Sequence, residues 1–137
     1  MFFNKKEKKD NKKNLVKIGA LLIHTAKIDE NYSKEEEEII KKTLQSLGAE
    51  ENNLNHLIEM AKQCEKDANQ ILDFTKEIKN LEDADKIKIL KSLWRIIYSN
   101  KDANIYETNL MRRLAGLLYI DSKVMGNIKK EIQDEIL

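Results

Sequence analysis

The sequence predicts an all-α protein, a bundle of about seven helices built from two pseudo-repeated helical hairpins. Three observations support this prediction. The 137 residues include no proline and only four glycines, whereas β-sandwiches and barrels depend on both for their turns. Apolar residues recur at the spacing of amphipathic helices in successive segments. The pattern of apolar and capping residues also recurs after 71 residues.

The first 14 residues differ in composition from the rest of the chain. They contain six lysines against Glu7 and Asp10, a net charge of +4, so the remaining residues sum to −3. Because this segment is polar and lacks helical periodicity, we expect a disordered basic tail over 1–14 and one helical domain over 15–137. A mildly acidic domain is a poor match for nucleic acid, so no nucleic-acid partner is expected.

The first predicted hairpin joins a helix that begins at Leu15 to a helix that begins after Ser33. A polar loop over 29–32 separates the two. Ser33 is a favourable N-cap, and Glu36 stands three residues later, which is the capping-box pattern. Gly48 then predicts a left-handed end for the second helix.

Five further amphipathic segments follow at short intervals. The fourth helix is expected to begin at an Asp67 cap and to carry Leu72 on its apolar stripe. The sixth is expected to begin after an Asn104 cap, and the seventh at Asp121 or Ser122. Because the connections are only a few residues long, neighbouring helices should pack roughly antiparallel.

The 71-residue repeat aligns the first hairpin with the fifth and sixth predicted helices. The cap Ser33 aligns with the cap Asn104, and Glu36 aligns with Glu107. Each copy reads as an apolar helix, a polar loop, a cap and a second apolar helix. Two such hairpins, joined by the middle helices, predict a pseudo-symmetric bundle.

These repeated loops resemble those of the TerB-like family, which includes tellurium-resistance protein B and the N-terminal segment of a membrane-bound DnaJ-type co-chaperone. The first copy reads KIDENYSKEE over 27–36, and the second reads SNKDANIYE over 99–107, with LMRRLAGLL soon after. The chain departs from the family pattern where the family glycine is Glu30 or Lys101 and the second family aspartate is Asn100. The resemblance covers about residues 15–125.

The resemblance implies an all-α fold and a non-enzymatic role. The family is linked to responses to tellurite and other stress, and its relatives work beside membrane proteins. We therefore expect a protein-interaction module with a protein partner in a stress-response or membrane-associated assembly. The resemblance also implies that the loop acids bind a divalent metal.

The first loop offers oxygen ligands for such a cation. Asp29, Asn31 and Ser33 alternate like the first ligands of a calcium loop, and Glu36 adds a carboxylate. The alternative function is therefore a Ca²⁺ or Mg²⁺ sensor, although the glycine and the bidentate glutamate of an EF-hand are missing. The competing interpretation is that Ser33 and Glu36 form only a capping box and that Asp29 is solvated near a helix N-terminus.

The second loop offers a less charged set of candidate ligands. Asn100, Asp102 and Glu107 occupy the positions that correspond to the first loop. A divalent cation is the only cofactor for which the sequence offers candidate ligands.

The N-terminal residues resemble a weak membrane-surface anchor. Phe2 and Phe3 offer apolar insertion, and the adjacent lysines each contribute about 1 kcal/mol near an anionic leaflet. The lysines closest to the two phenylalanines are Lys5, Lys6, Lys8 and Lys9. The alternative interpretation is a free disordered tail.

The sequence contains no recognisable catalytic constellation. P-loop, GxGxxG, GxSxG and HExxH motifs are absent, and His24 and His56 have no histidine or cysteine at ligand spacing. The single cysteine, Cys64, is typical of a reducing compartment, and no apolar run approaches the ~20 residues of a membrane span. We therefore expect a cytoplasmic non-enzyme, with peripheral contact at the inner face of the membrane as an added possibility.

Overall fold

The fold is all-helical in the part of the chain that the computed structural model describes, which is residues 15–28, 32–99 and 105–136. Within these ranges there are seven α-helices, one short 3₁₀-helix and no strand, so the predicted fold class is confirmed. The elements are α1 (15–26), α2 (Lys34–Ser46), a 3₁₀-helix (Glu51–Asn53), α3 (Leu54–Asp67), α4 (Leu72–Ile78), α5 (Asp83–Ser99), α6 (Ile105–Leu117) and α7 (Ser122–Ile136).

Helix α1 is the most deeply buried element. Five successive residues, 19–23, are all buried, whereas a helix at the surface buries only one stripe. Helix α5 also contributes many buried side chains and packs against both α2 and α7. The core is therefore built around α1 and α5, and the remaining helices bury one face each.

Helices α1 and α3 approach each other closely at Gly19. A Cβ atom added at Gly19 would lie 2.9 Å from the Cβ of Ala61 and 3.6 Å from Cδ1 of Leu44. The first distance is shorter than real contacts between carbon atoms, which are optimal near 3.5–4.0 Å. The absence of a side chain at Gly19 thus permits this helix contact.

The predicted capping box at the start of α2 is confirmed. The backbone N–H of Glu36 donates to Oγ of Ser33 over 3.1 Å, and the backbone N–H of Ser33 donates to Oε1 of Glu36 over 2.9 Å. Glu36 is fully buried. Two backbone donors at the helix start are therefore satisfied reciprocally.

Helices α2 and α6 end in the same C-terminal motif, at positions 71 residues apart. Gly48 has a φ of +112° and Tyr119 a φ of +57°. After each, the next backbone N–H donates to a carbonyl of the last turn, that of Leu44 over 2.9 Å in α2 and that of Ala115 over 2.8 Å in α6. The caps agree with the spacing of the repeat, and the equivalence of the whole hairpins stays a prediction.

The predicted start of α4 is wrong. Helix α3 continues through Asp67, and α4 begins only at Leu72. The carboxylate of Asp73, instead of Asp67, accepts the backbone N–H groups of Asn69 and Gln70, over 3.1 and 3.4 Å. Leu72 is 43% exposed, although the predicted apolar stripe implied burial. The buried face of α4 runs through Phe74, Thr75 and Ile78, and Leu72 lies beside it.

The caps of the last two helices have different outcomes. The predicted Asn104 cap lies outside the described residues. The prediction for α7 is confirmed: the helix begins at Ser122, and Oδ1 of Asp121 accepts the backbone N–H of Lys123 over 2.8 Å.

Candidate functional site

The ligands predicted for a cation in the first loop are only partly described. Asp29 and Asn31 lie outside the described residues. Ser33 and Glu36 are described, and they bond to each other in the capping box. This geometry supports the capping interpretation for these two side chains, and the cation site stays a prediction.

The second candidate loop and the tail fall mostly outside the described residues as well. Asn100 and Asp102 are not described, and Glu107 is a buried residue in the first turn of α6. Over the described ranges, the His, Cys, Asp and Glu side chains form no group of three or more that could hold a metal ion. The predicted membrane-contact residues that also lie outside are Phe2, Phe3, Lys5, Lys6, Lys8 and Lys9.

The helices that are described give no candidate for a membrane span. None of them is both long enough and apolar enough to cross a bilayer.

A groove runs between α4 and the C-terminal end of α6, and we refer to it as the α4–α6 groove. Its volume is about 510 Å³. Its apolar surface comes from Leu72, Leu117 and Tyr119, of which Leu72 is 43% and Tyr119 is 73% exposed. The complete lining is Gln70, Leu72, Asp73, Thr75, Lys76, Lys79, Gly116, Leu117 and Tyr119.

Tyr119 occupies an unusual backbone conformation for its size. A left-handed conformation costs a residue with a side chain about 1–2 kcal/mol, and at the corresponding position of α2 the chain uses Gly48. The ring of Tyr119 is nevertheless directed into solvent, where it gains little from burial. A strained backbone that presents an exposed aromatic ring is a feature that points to function.

The buried side chain of Lys86 contacts both the end of α6 and the ring of Tyr119. Nζ of Lys86 donates to the carbonyl of Leu118 over 3.0 Å and lies 6.0 Å from the centroid of the Tyr119 ring. Lys86 is only 6% exposed, and a cation over an aromatic ring is attractive. Lys86 therefore joins α5 to the end of α6 and contacts one face of the ring at the edge of the groove.

The charges that line the α4–α6 groove are mainly positive. Lys76 and Lys79 contribute two cations, and Asp73 is the acid of the lining. The Asp73 carboxylate is already bonded to two backbone N–H groups. The groove thus combines exposed apolar side chains with lysines at its margin.

Another groove lies beside the first loop, where α1 meets α3, and two of the three lysines in its lining are paired with carboxylates. Lys62 lies 3.3 Å from Glu37, and Lys27 lies 2.8 Å from Glu65. The hydroxyl of Tyr32 donates to Glu37 over 3.3 Å, and burial together with this carboxylate raises the pKa of Tyr32 well above its usual value. Because Lys27 and Lys62 each have a carboxylate partner, we interpret this cluster as support for the loop.

The side chains that carry no predicted chemistry occupy ordinary positions. His24 is half-buried and packs near Phe74, with 6.1 Å between the ring centroids. His56 is exposed, and Cys64 is a half-buried free thiol.

Sequence reasoning missed the α4–α6 groove because its exposed residues look like core residues in the sequence. Leu72 follows the apolar stripe of its segment, and the exposure of Tyr119 depends on where α6 ends. One signal was present in the repeat: a bulky residue at 119 aligns with Gly48, the position at which a helix end favours glycine.

Comparison with known proteins gives one match. A family model described as tellurite resistance protein TerB matches residues 15–130, a range that begins with α1 and ends inside α7. No curated protein and no solved structure matches the chain.

Proposed function

The chain belongs to the TerB family, and on that premise we propose that it is a non-enzymatic module that binds a protein partner. The partner segment would lie in the α4–α6 groove, within a cytoplasmic stress-response or membrane-associated assembly. The observation that carries the proposal is the exposed, strained Tyr119 at the edge of an apolar groove.

The apolar side chains of the groove are better explained by contact with a protein partner than by permanent exposure to solvent. Tyrosine is enriched at protein interfaces because one large ring supplies contact area with few rotatable bonds. Leu72 extends the apolar area beside it. A glycine at position 119 would allow the same helix end without strain, so the presence of an exposed tyrosine there is best explained by contact with a ligand.

The charge of the groove favours a partner segment that combines apolar side chains with carboxylates. Lys76 and Lys79 stand beside the apolar surface, and complementary charge steers such a segment and fixes its orientation. The basic tail over 1–14 does not meet this description, because its net charge is +4. We therefore infer a separate protein as the occupant.

The first experiment identifies the partner by proximity. A photo-crosslinking amino acid replaces Leu72 in one full-length variant and Met60 in a control variant, because Met60 is similarly exposed on α3. The proposal requires a protein that crosslinks through position 72 and does not crosslink through position 60. Equal crosslinking at both positions would indicate nonspecific contact and would contradict the proposal.

The second experiment measures binding of that partner to purified variants. Tyr119→Gly and Leu72→Ala should each weaken the affinity by about tenfold or more, as is typical for central interface residues, whereas Met60→Ala should leave it unchanged. Tyr119→Gly should also keep the free energy of unfolding or raise it by up to about 1 kcal/mol, because the backbone strain is relieved. Lost binding in a protein that is at least as stable cannot be attributed to unfolding, and unchanged binding in both groove variants would refute the proposal.

Membrane association has its own test. Full-length protein is floated with vesicles that contain anionic lipid, and the double variant Phe2→Ser/Phe3→Ser serves as the comparison. A peripheral anchor requires that the wild type floats and that the double variant floats less, because the lysines remain in both. Equal flotation would remove the two phenylalanines from the proposed anchor.

A further inference from the structure

A further groove, between α2 and α5, concentrates positive charge, and we refer to it as the α2–α5 groove. Its volume is about 450 Å³. Every charged side chain in its lining is cationic: one lysine comes from α2, and two lysines and an arginine come from α5. The lining consists of Ile39, Lys42, Thr43, Ser46, Lys88, Lys91, Ser92 and Arg95.

The floor of the α2–α5 groove is polar and internally bonded. The buried hydroxyls of Thr43 and Ser92 form a hydrogen bond across the interface between the two helices. The Thr43 hydroxyl also donates to the carbonyl of Ile39 over 2.7 Å. The separation of α2 and α5 at the groove is therefore fixed by a direct bond between their side chains.

Two of the four cations are partly neutralised from α7. Nζ of Lys91 lies 3.1 Å from Glu131. Nε and Nη2 of Arg95 donate to the two carboxylate oxygens of Glu135, over 2.8 and 3.0 Å. The Nη1 group of Arg95 has no hydrogen-bond acceptor among the described residues, so it can still donate to a ligand.

The other two cations lack a carboxylate partner in the part of the chain that is described. Nζ of Lys88 donates to the carbonyl of Ser46 over 3.3 Å, and Lys42 is exposed on α2. The four groove cations together with Glu131 and Glu135 carry a net charge of +2. This positive charge lies in a domain whose residues after position 14 sum to −3.

We propose that the α2–α5 groove binds a soluble ligand that carries phosphate groups. Like charges that converge on one groove repel one another, and an anion with several oxygens relieves this repulsion while accepting hydrogen bonds from lysine and arginine. A discrete ligand fits better than a bilayer, because the cations surround a concave groove with a hydroxyl floor and a flat surface cannot enter it. The site uses α2 and α5, so it is independent of the α4–α6 groove.

The test is a calorimetric titration of the full-length protein with pyrophosphate, at an ionic strength held constant with sodium chloride. The wild type should show saturable binding. Lys88→Glu and Lys42→Glu should each weaken it by about tenfold or more, because each reverses a charge at the groove. The matched control is Lys130→Glu, which makes the same charge change at an exposed position of α7 and should alter the affinity by less than about twofold.

The comparison between variants also controls for pyrophosphate binding by the basic tail over 1–14. Every variant keeps the six lysines of residues 1–14, so any contribution of the tail cancels in the comparison. Lys88→Gln repeats the test without adding a carboxylate, and circular dichroism verifies that each variant is folded. Lys88→Gln should weaken binding less than Lys88→Glu but more than Lys130→Glu.

Three outcomes would overturn the proposal. The first is the absence of saturable binding up to about 10 mM pyrophosphate, a concentration at which even a site with a Kd of about 1 mM would be mostly occupied. The second is equal weakening by Lys88→Glu and Lys130→Glu, which would indicate only a general charge effect. The third is binding to vesicles of anionic phospholipid that Lys88→Glu abolishes and that pyrophosphate does not compete for, which would assign the groove to a membrane surface.

Discussion

Gly19→Ala should destabilise the fold, because the new methyl group would lie 2.9 Å from the Cβ of Ala61. Relief of this contact requires α1 and α3 to move apart, and overpacking of a core costs about 1–3 kcal/mol. Alanine is favoured over glycine inside a helix by about 1 kcal/mol, which offsets part of the cost. The net loss in the free energy of unfolding is therefore about 0–2 kcal/mol.

The matched variant Ala61→Gly allows a double-mutant cycle that tests whether positions 19 and 61 are in contact. Alone it should cost about 1–2 kcal/mol, from helix propensity and from the loss of a packed methyl group. In the double variant Gly19→Ala/Ala61→Gly the propensity changes cancel, and one methyl group again lies between α1 and α3. The double variant should be within about 1 kcal/mol of the wild type, with a favourable coupling energy of about 1–3 kcal/mol.

The assay is urea unfolding followed by circular dichroism, with the slope of the transition checked for each variant. Independent sites give additive changes within about 0.5 kcal/mol. A coupling energy below that value would mean that α1 and α3 do not approach as closely as the distance at Gly19 requires, and the packing described here would be wrong.

Three further predictions concern single side chains. Ser33→Ala should lower the free energy of unfolding by about 1 kcal/mol through loss of the cap, equally with and without millimolar Ca²⁺ or Mg²⁺; a metal-dependent loss would instead indicate that Ser33 ligates a cation. Tyr32 has a raised pKa, so it stays neutral in the folded protein above pH 10 while an unfolded tyrosine ionises. Stability should therefore decline there, and Tyr32→Phe should reduce the decline in unfolding curves recorded against pH. Glu135→Gln should lower the free energy of unfolding by less than about 1 kcal/mol at neutral pH. The hydrogen bond from Arg95 lowers the pKa of Glu135 below the usual glutamate pKa of 4.5. The loss should therefore disappear as the pH falls below this lowered pKa, where Glu135 is protonated in the folded protein.

The features that the sequence predicted correctly depend on local chemistry. The capping box of Ser33 and Glu36, the left-handed Gly48 and the start of α7 after Asp121 each involve residues a few positions apart. Such bonds form from neighbouring groups, so the spacing of residue types is enough to predict them.

The features that the sequence did not predict depend on the exact ends of helices and on how the helices pack together. Asp67 is an acceptable cap, but α3 extends through it, and Asp73 reaches back to the turn instead. Leu72 is exposed because it lies beside the buried face that Phe74 and Ile78 form in α4. In α5, Lys88, Lys91 and Arg95 recur at helical spacing, which indicates a basic face on that helix. That this face forms a groove with Lys42 of α2 follows only from the tertiary fold.

The deep burial of α1 has a consequence for biosynthesis. Helix α1 leaves the ribosome before the helices that it contacts, and its neighbours Leu44, Ala61 and Phe74 lie further along the chain. At a translation rate of about 5–20 residues per second, the nascent segment would wait about 3–12 s with an apolar surface in water. We therefore expect newly made chains to depend on chaperones during synthesis more than their small size suggests.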